Sequence, residues 1–173
     1  MTSLQMPKVQ KSILLNKNRI IKDIGKILKS ENILDHKDEI KPYETDALTA
    51  YRQTPLLVVL PETVQEVSKI LRYCNDNKIK IVPRGAGTGL SGGALPLEDS
   101  ILLSMGKFNK ILEVDYKNKC VVAQPCVTNL SITYAVQDNN FYYAPDPSSQ
   151  IACSIGGNVA ENSGGVHSLK YGA

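Results

Sequence analysis

Residues 83–96 read PRGAGTGLSGGALP, and five of the nine positions from 85 to 93 are glycine. What precedes this stretch decides how it is read. Residues 56–60 (LLVVL), closed by Pro61, form a continuous apolar run, the pattern of a strand buried on both faces. Thr63 and Glu66 then have the spacing of a capping box, and Val64, Val67, Ile70, Leu71 and Cys74 trace one apolar stripe, which predicts a helix. Asn77 suits its end. Ile79 and residues 80–83 (KIVP) read as the next strand. Strand, helix and strand in that order favour a parallel pair with a right-handed crossover. The glycines therefore begin directly at the end of an apolar strand.

A loop so placed has a chemical use. Glycine tolerates positive φ and lets a ligand approach the main chain with no Cβ in the way. Successive N–H groups in such a loop can converge on an anion, pyrophosphate being a common one. Arg84 at the start of the loop adds a positive charge. The bland alternative is a flexible linker or surface turn, but linkers seldom start at an apolar strand end. Gly87-x-Gly89-x-x-Gly92 also matches the Rossmann dinucleotide fingerprint, with Glu113 and Asp115 at a strand end further on. That fingerprint needs a helix to start inside the glycines. Here ALPLEDSILLS follows, with Pro96 and a strand-like run at 101–104, so the Rossmann reading fails on context. A P-loop fails too, because no Gly-Lys-[Ser/Thr] closes the segment.

Outside this unit, residues 19–34 carry Ile20, Ile24, Ile27 and Leu28 at helical spacing and predict an amphipathic helix. Residues 35–53 are polar and irregular, with Pro42 breaking any helix. Residues 109–115 and 119–125 read as two strands joined by the polar turn Tyr116-Lys117-Asn118-Lys119. Thr128 caps a predicted helix running to about Asp138. From Tyr142 onward the chain is rich in Gly, Ser, Asn and Pro and nearly free of periodicity. Ile151, Cys153, Ile155, Val159, Val166 and Leu169 nevertheless make it too apolar for a linker. Within it, Gly156-Gly157 and Gly164-Gly165 flank Asn158, Glu161 and Asn162. Two backbone-exposing segments suggest a ligand gripped along its length, phosphates in one and a planar ring by the other. Taken singly, these serines and asparagines are turn formers.

Composition narrows the classes. A chain of 173 residues, 42% hydrophobic and 21% charged, suits one domain with a real core. The net charge of +3 is small, and the densest basic stretch (Lys8, Lys11, Lys17, Arg19, Lys22) reads as a solvated face rather than a nucleic-acid stripe. No apolar run reaches membrane-spanning length, and Gln5, Pro7, Lys8, Gln10 and Lys11 stand where a signal peptide needs apolar residues, so a cytoplasmic protein is expected. The cysteines (Cys74, Cys120, Cys126, Cys153) form no CxxC pair, and with His36 and His167 as the only histidines a zinc site is not expected. His167 has no nucleophile–base order around it, and Asn129-Leu130-Ser131 matches a glycosylation sequon by chance.

PRGAGTGLSGGALP (83–96) and YYAPDPSSQIACSIGGNVAENSGGVHSLKYG (142–172) closely resemble the FAD-binding domain of the vanillyl-alcohol oxidase/p-cresol methylhydroxylase superfamily, with AYRQTPLLVVLPETVQEV (50–67) fitting the same family. The resemblance is strongest to its glycolate oxidase and D-lactate dehydrogenase branch. It implies an α+β fold, a two-subdomain FAD-binding domain truncated before its second subdomain is complete. Residues 1–50 would be an N-terminal helical extension and 51–173 the FAD-binding domain. Non-covalent FAD is implied, because relatives that attach the flavin through this loop place a histidine among its glycines, and residues 85–93 hold none. Carried onto this chain, Pro83, Arg84, Gly85, Ala86, Gly87, Thr88, Gly89 and Leu90 would cradle the pyrophosphate. Pro145, Asp146 and Ser148 would lie along the cofactor, and Ile155, Gly156, Gly157, Asn158, Gly164 and Gly165 would line the flavin.

The implied activity is oxidation of a small 2-hydroxy acid, glycolate to glyoxylate first, with further subunits of a glycolate oxidase complex as partners. The family's metal-ligand histidines and substrate-binding arginines belong to a later domain, so no catalytic or metal residue is assigned here. The competing readings are a non-catalytic FAD-binding or split-gene piece, and a dehydrogenase acting on D-lactate or 2-hydroxyglutarate. One departure stands out. The family usually has Pro-Gly-Val where this chain has Pro125-Cys126-Val127, and a positive φ there would strain the cysteine by about 1–2 kcal/mol.

Overall fold

The computed structural model describes residues 7–172. The helices are α1 (Lys11–Leu15), α2 (Lys17–Ile24), α3 (Lys37–Ile40), α4 (Val64–Asp76), α5 (Asn129–Val136), α6 (Ile155–Glu161) and α7 (Ser168–Tyr171). The strands are β1 (Ile33–Leu34), β2 (Leu57–Val59), β3 (Lys80–Arg84), β4 (Ser100–Ser104), β5 (Ile111–Asp115) and β6 (Cys120–Ala123). They form a four-stranded sheet in the order β1-β2-β4-β3 and a separate β5-β6 hairpin.

β2, β3 and β4 are parallel, as the strand–helix–strand pattern favoured, but β2 and β3 are not paired with each other. β4 lies between them, with Leu57 opposite Ile101 on one side and Arg84 opposite Ser104 on the other. The weak-looking run ILLS is thus the centre of the sheet, and all five residues of β4, Ser100 included, are buried. Alternation divides the core. Leu57, Val59, Ile101 and Leu103 pack with Ile20, Ile24, Leu28, Ile70 and Cys74, whereas Val58 and Leu102 pack with Ile40. Each such aliphatic side chain contributes about 1.5–3 kcal/mol of gross burial energy. That exceeds the roughly 1 kcal/mol from the Thr63 cap of α4, although both halves of the capping box are formed.

Several expectations need correction. The helix expected over 19–34 ends at Ile24, where Gly25 caps it. Ile27 and Leu28 continue in turns, and residues 33–34 are drawn onto the sheet edge as β1. Sheet pairing outweighs helical spacing there. In α4, Ile70 and Cys74 are buried, but Val64 and Leu71 are 69% and 44% exposed, so the stripe is narrower than the sequence suggested. Cys126 is not among the residues with positive φ, so the strain expected of it is absent. Its N–H donates to the Phe108 carbonyl at 2.7 Å, and burial pushes its thiol pKa up. In the β5-β6 turn it is Lys119 that takes the left-handed conformation, at φ 55°.

A buried pair ties the start of the chain to the sheet. Asp99, 1% exposed, accepts from Lys80 Nζ at 2.8 and 3.0 Å and from the Gln10 N–H at 2.7 Å. Burial raises the Asp99 pKa, but these donors outweigh it and leave the carboxyl below its ordinary value.

Candidate functional site

β3 ends at Arg84 and hands the chain to the glycine segment. From Gly85 to Ala94 no main-chain N–H donates a hydrogen bond to any described residue. These residues are half-buried or exposed, so the free donors remain open to an incoming anion. The loop is held from behind instead. The Gly87 carbonyl accepts from the Ala47 N–H at 3.0 Å, and buried Pro96 pins the far end. Arg84 folds back beneath the loop, donating to the Thr45 carbonyl at 2.7 Å, with its guanidinium 5.7 Å from the Tyr43 ring centre. Burial lowers the Arg84 pKa, Asp46 and Tyr43 oppose it, and the guanidinium stays charged. Gly87 has φ 73°, and a Cβ there would collide with the Arg84 guanidinium.

The second glycine segment faces the first across a cleft of about 690 Å³. That size falls within the usual range for small-molecule sites, about 300–1,000 Å³. Here the structure revises the expectation of two loops. Gly156 and Gly157 form the first turn of α6, whose N-cap Ser154 accepts from the Gly157 N–H at 3.3 Å. Gly156 is glycine for lack of room, since a Cβ would come within 2.7 Å of Pro125 Cβ. At Gly85 a Cβ would collide with Ser154 Oγ, so the two segments meet at that point.

Of the residues singled out from sequence, 83–90, Ser148, Gly156, Gly157, Asn158 and Gly164 line this cleft. Pro145, Asp146, Ile155 and Gly165 do not. The Pro145 carbonyl accepts from Asn129 Nδ2 at 2.8 Å, and Asp146 Oδ2 lies 2.9 Å from His167 Nδ1. Gly165 is packed against Asp146, with no space for a Cβ. Ile155 faces a second groove of about 400 Å³ beside the β5-β6 hairpin, lined also by Phe141 and Tyr143.

Sequence reasoning missed Asn129 and Ser154. Asn129, fully buried, donates to Pro145 and accepts from Asn158 Nδ2 at 2.9 Å, which joins the 145–149 segment to α6. Its only sequence signal is its place after the cap residue Thr128, within the chance sequon at 129–131. Among the described residues no group of three His, Cys, Asp or Glu side chains is placed to hold a metal, and no helix is long and apolar enough to cross a membrane.

A family model described as FAD binding domain matches residues 55–173. The chain belongs to the FAD-binding domain family. Glycolate oxidase subunit GlcD of Escherichia coli K12 is 59% identical to it over 140 residues, 81% of this chain and 28% of that protein. The Bacillus subtilis subunit of the same name is 42% identical over 142 residues, and a mitochondrial D-2-hydroxyglutarate dehydrogenase of Arabidopsis thaliana 34% over 148. The chain spans 28%, 30% and 26% of their lengths respectively. Among solved structures, an alkyldihydroxyacetonephosphate synthase superposes with TM-score 0.78 at 20% identity over 98% of this chain and 32% of its own. p-Cresol methylhydroxylase with substrate bound gives 0.74 at 23% over 90% and 30%. These likenesses establish the fold as the p-cresol methylhydroxylase type of FAD-binding domain. The residues of this FAD-binding domain suit the cofactor: free amides and a close-approach glycine loop for phosphates on one wall, α6 and its glycines on the other.

Proposed function

We propose that this chain is the FAD-holding part of an enzyme that oxidises glycolate to glyoxylate. In this reading residues 51–173 are the cofactor domain and 1–50 an N-terminal helical extension. The observation that carries the reading is the run from Gly85 to Ala94 whose N–H groups donate to no described residue, most of it lining a cleft whose other wall also bears glycines. Bound FAD supplies a hydride acceptor for the substrate α-carbon. The chain's own work is binding and orientation: loop amides on the pyrophosphate, Ser148 along the cofactor, and Gly156, Gly157, Asn158 and Gly164 against the ring. Glycolate is preferred over D-lactate or 2-hydroxyglutarate because the glycolate oxidase subunit from Escherichia coli is the more similar at 59%, against 34% for the hydroxyglutarate enzyme. Further subunits and a cytoplasmic setting belong to the same proposal.

Rate depends on placing the α-carbon at the flavin and a base at the hydroxyl proton. No such base is assigned in this chain, so the 173-residue protein saturated with FAD is expected to reduce no dye with glycolate. Adding the remaining polypeptide of the longer enzyme should give glycolate-dependent dye reduction faster than with D-lactate or D-2-hydroxyglutarate. Turnover by the chain alone, or a clear preference for either other acid, would refute the assignment.

A further inference from the structure

Arg84 and Glu161 are the only charged side chains lining the cleft among the described residues. Arg84 is turned to the back of the glycine loop, where Thr45 and Tyr43 hold it. Glu161 lies on the open side. Its Oε1 sits 3.3 Å from where a Cβ would project from Gly89 and 3.0 Å from the equivalent point at Gly93. Neither glycine has positive φ, so backbone conformation does not call for glycine at either position. The missing side chains make the room that the carboxylate occupies. Nothing else fixes it there, since the Glu161 side chain makes no hydrogen bond or ion pair with described residues. Helix electrostatics do not favour it either. Glu161 is the last residue of α6, the end where a negative charge is destabilising.

The carboxylate thus lies beside a loop whose free amides are of the kind that attracts an anion. We propose that the Glu161 carboxylate is an internal stand-in for the cofactor's phosphate anion, which it must vacate on binding, so that it sets the affinity of the site. The inference rests on FAD being the ligand of this cleft and adds the residue that opposes it. A carboxylate left near the incoming pyrophosphate repels it, and a screened like-charge contact of this kind weakens binding by about tenfold.

The test is flavin-fluorescence titration of the chain with FAD, and displacement of FAD by ADP, for the native protein, Glu161→Gln and Glu161→Asp. The isosteric, uncharged Glu161→Gln should tighten both FAD and ADP by about tenfold, while Glu161→Asp stays within about threefold of the native protein. Thermal midpoints check that all three are folded. Unchanged FAD binding by Glu161→Gln overturns the inference, and so does weaker binding, which would make the carboxylate a direct acceptor for the cofactor. A gain for FAD without one for ADP also overturns it, because the competition would then lie away from the phosphates. Absence of FAD binding by every folded variant, native included, instead sinks the proposed function on which the inference stands.

Discussion

Asn129→Ala offers the sharpest check on how the two walls are held in register. The side chain is 0% exposed and makes two bonds, to the Pro145 carbonyl at 2.8 Å and from Asn158 at 2.9 Å. The first partner is half-buried, so water replaces much of that bond and its loss costs about 1 kcal/mol. The second partner is different. Asn158 is 6% exposed, and its amide would be left unpaired beside a small void, at about 2 kcal/mol. The total of about 3 kcal/mol corresponds to a fall in Tm of about 6–12 °C for a chain of this size. With no tryptophan and eight tyrosines in the sequence, far-ultraviolet circular dichroism during urea and thermal unfolding is the suitable probe. Asn158→Ala and the double variant complete a cycle, in which the pair should be non-additive by about 1–2 kcal/mol. A loss below about 0.5 kcal/mol for Asn129→Ala, or strict additivity, would refute the claim that this amide pair ties the wall together.

Three further outcomes follow from the structure. Cys126→Gly should destabilise the chain by about 0.5–1 kcal/mol, since that position gains nothing from glycine and loses unfolded-state restriction; a higher urea midpoint would contradict this. Acid should weaken the fold through Glu62 and Asp99. Glu62, receiving Asn32, Lys107 and Lys29, has its pKa lowered to about 2, and Asp99 is lowered as well. Their stabilisation is therefore complete above the unfolded carboxylate values near pH 4 and is lost as pH falls toward their folded values. Glu62→Gln should flatten that decline in urea midpoints, and an unchanged pH slope would count against it. Acid precipitation of the FAD-loaded chain should release all flavin to the supernatant, and colour retained on the polypeptide would show covalent attachment instead.

The parts of this molecule that were legible in sequence are those where one local rule acts alone. LLVVL could only be a strand buried twice over, and Thr63 with Glu66 formed their capping box because nothing tertiary competes at that helix start. The glycine loop was readable because it breaks composition so sharply. Legibility fails where distant residues decide. Gly156 and Gly157 looked like loop and are helical, because Ser154 caps the turn and Pro125 occupies the space a side chain would need. Position 129 looked like an ordinary turn former, since its partners at 145 and 158 are brought to it only by the fold. Glu161 was noticed as a neighbour of glycines, but its closeness to Gly89 and Gly93, about seventy residues earlier, has no sequence signature.

The position of β4 has a consequence for how the chain is made. During synthesis β2, α4 and β3 emerge first, and in the finished sheet β2 and β3 stand two strand spacings apart, roughly 9–10 Å, with no ladder between them. A nascent chain that has reached Arg84 thus lacks the strand that pairs with both, and the slot of β4 between them is unfilled. Residues 100–104 fill it only after the glycine segment has also left the ribosome, about one to several seconds later at ordinary elongation rates. Until then the inner edges of both strands are open to any other extended peptide. The glycine segment links β3 to the last strand of this sheet in chain order, and its reach bears on how soon that opening is closed.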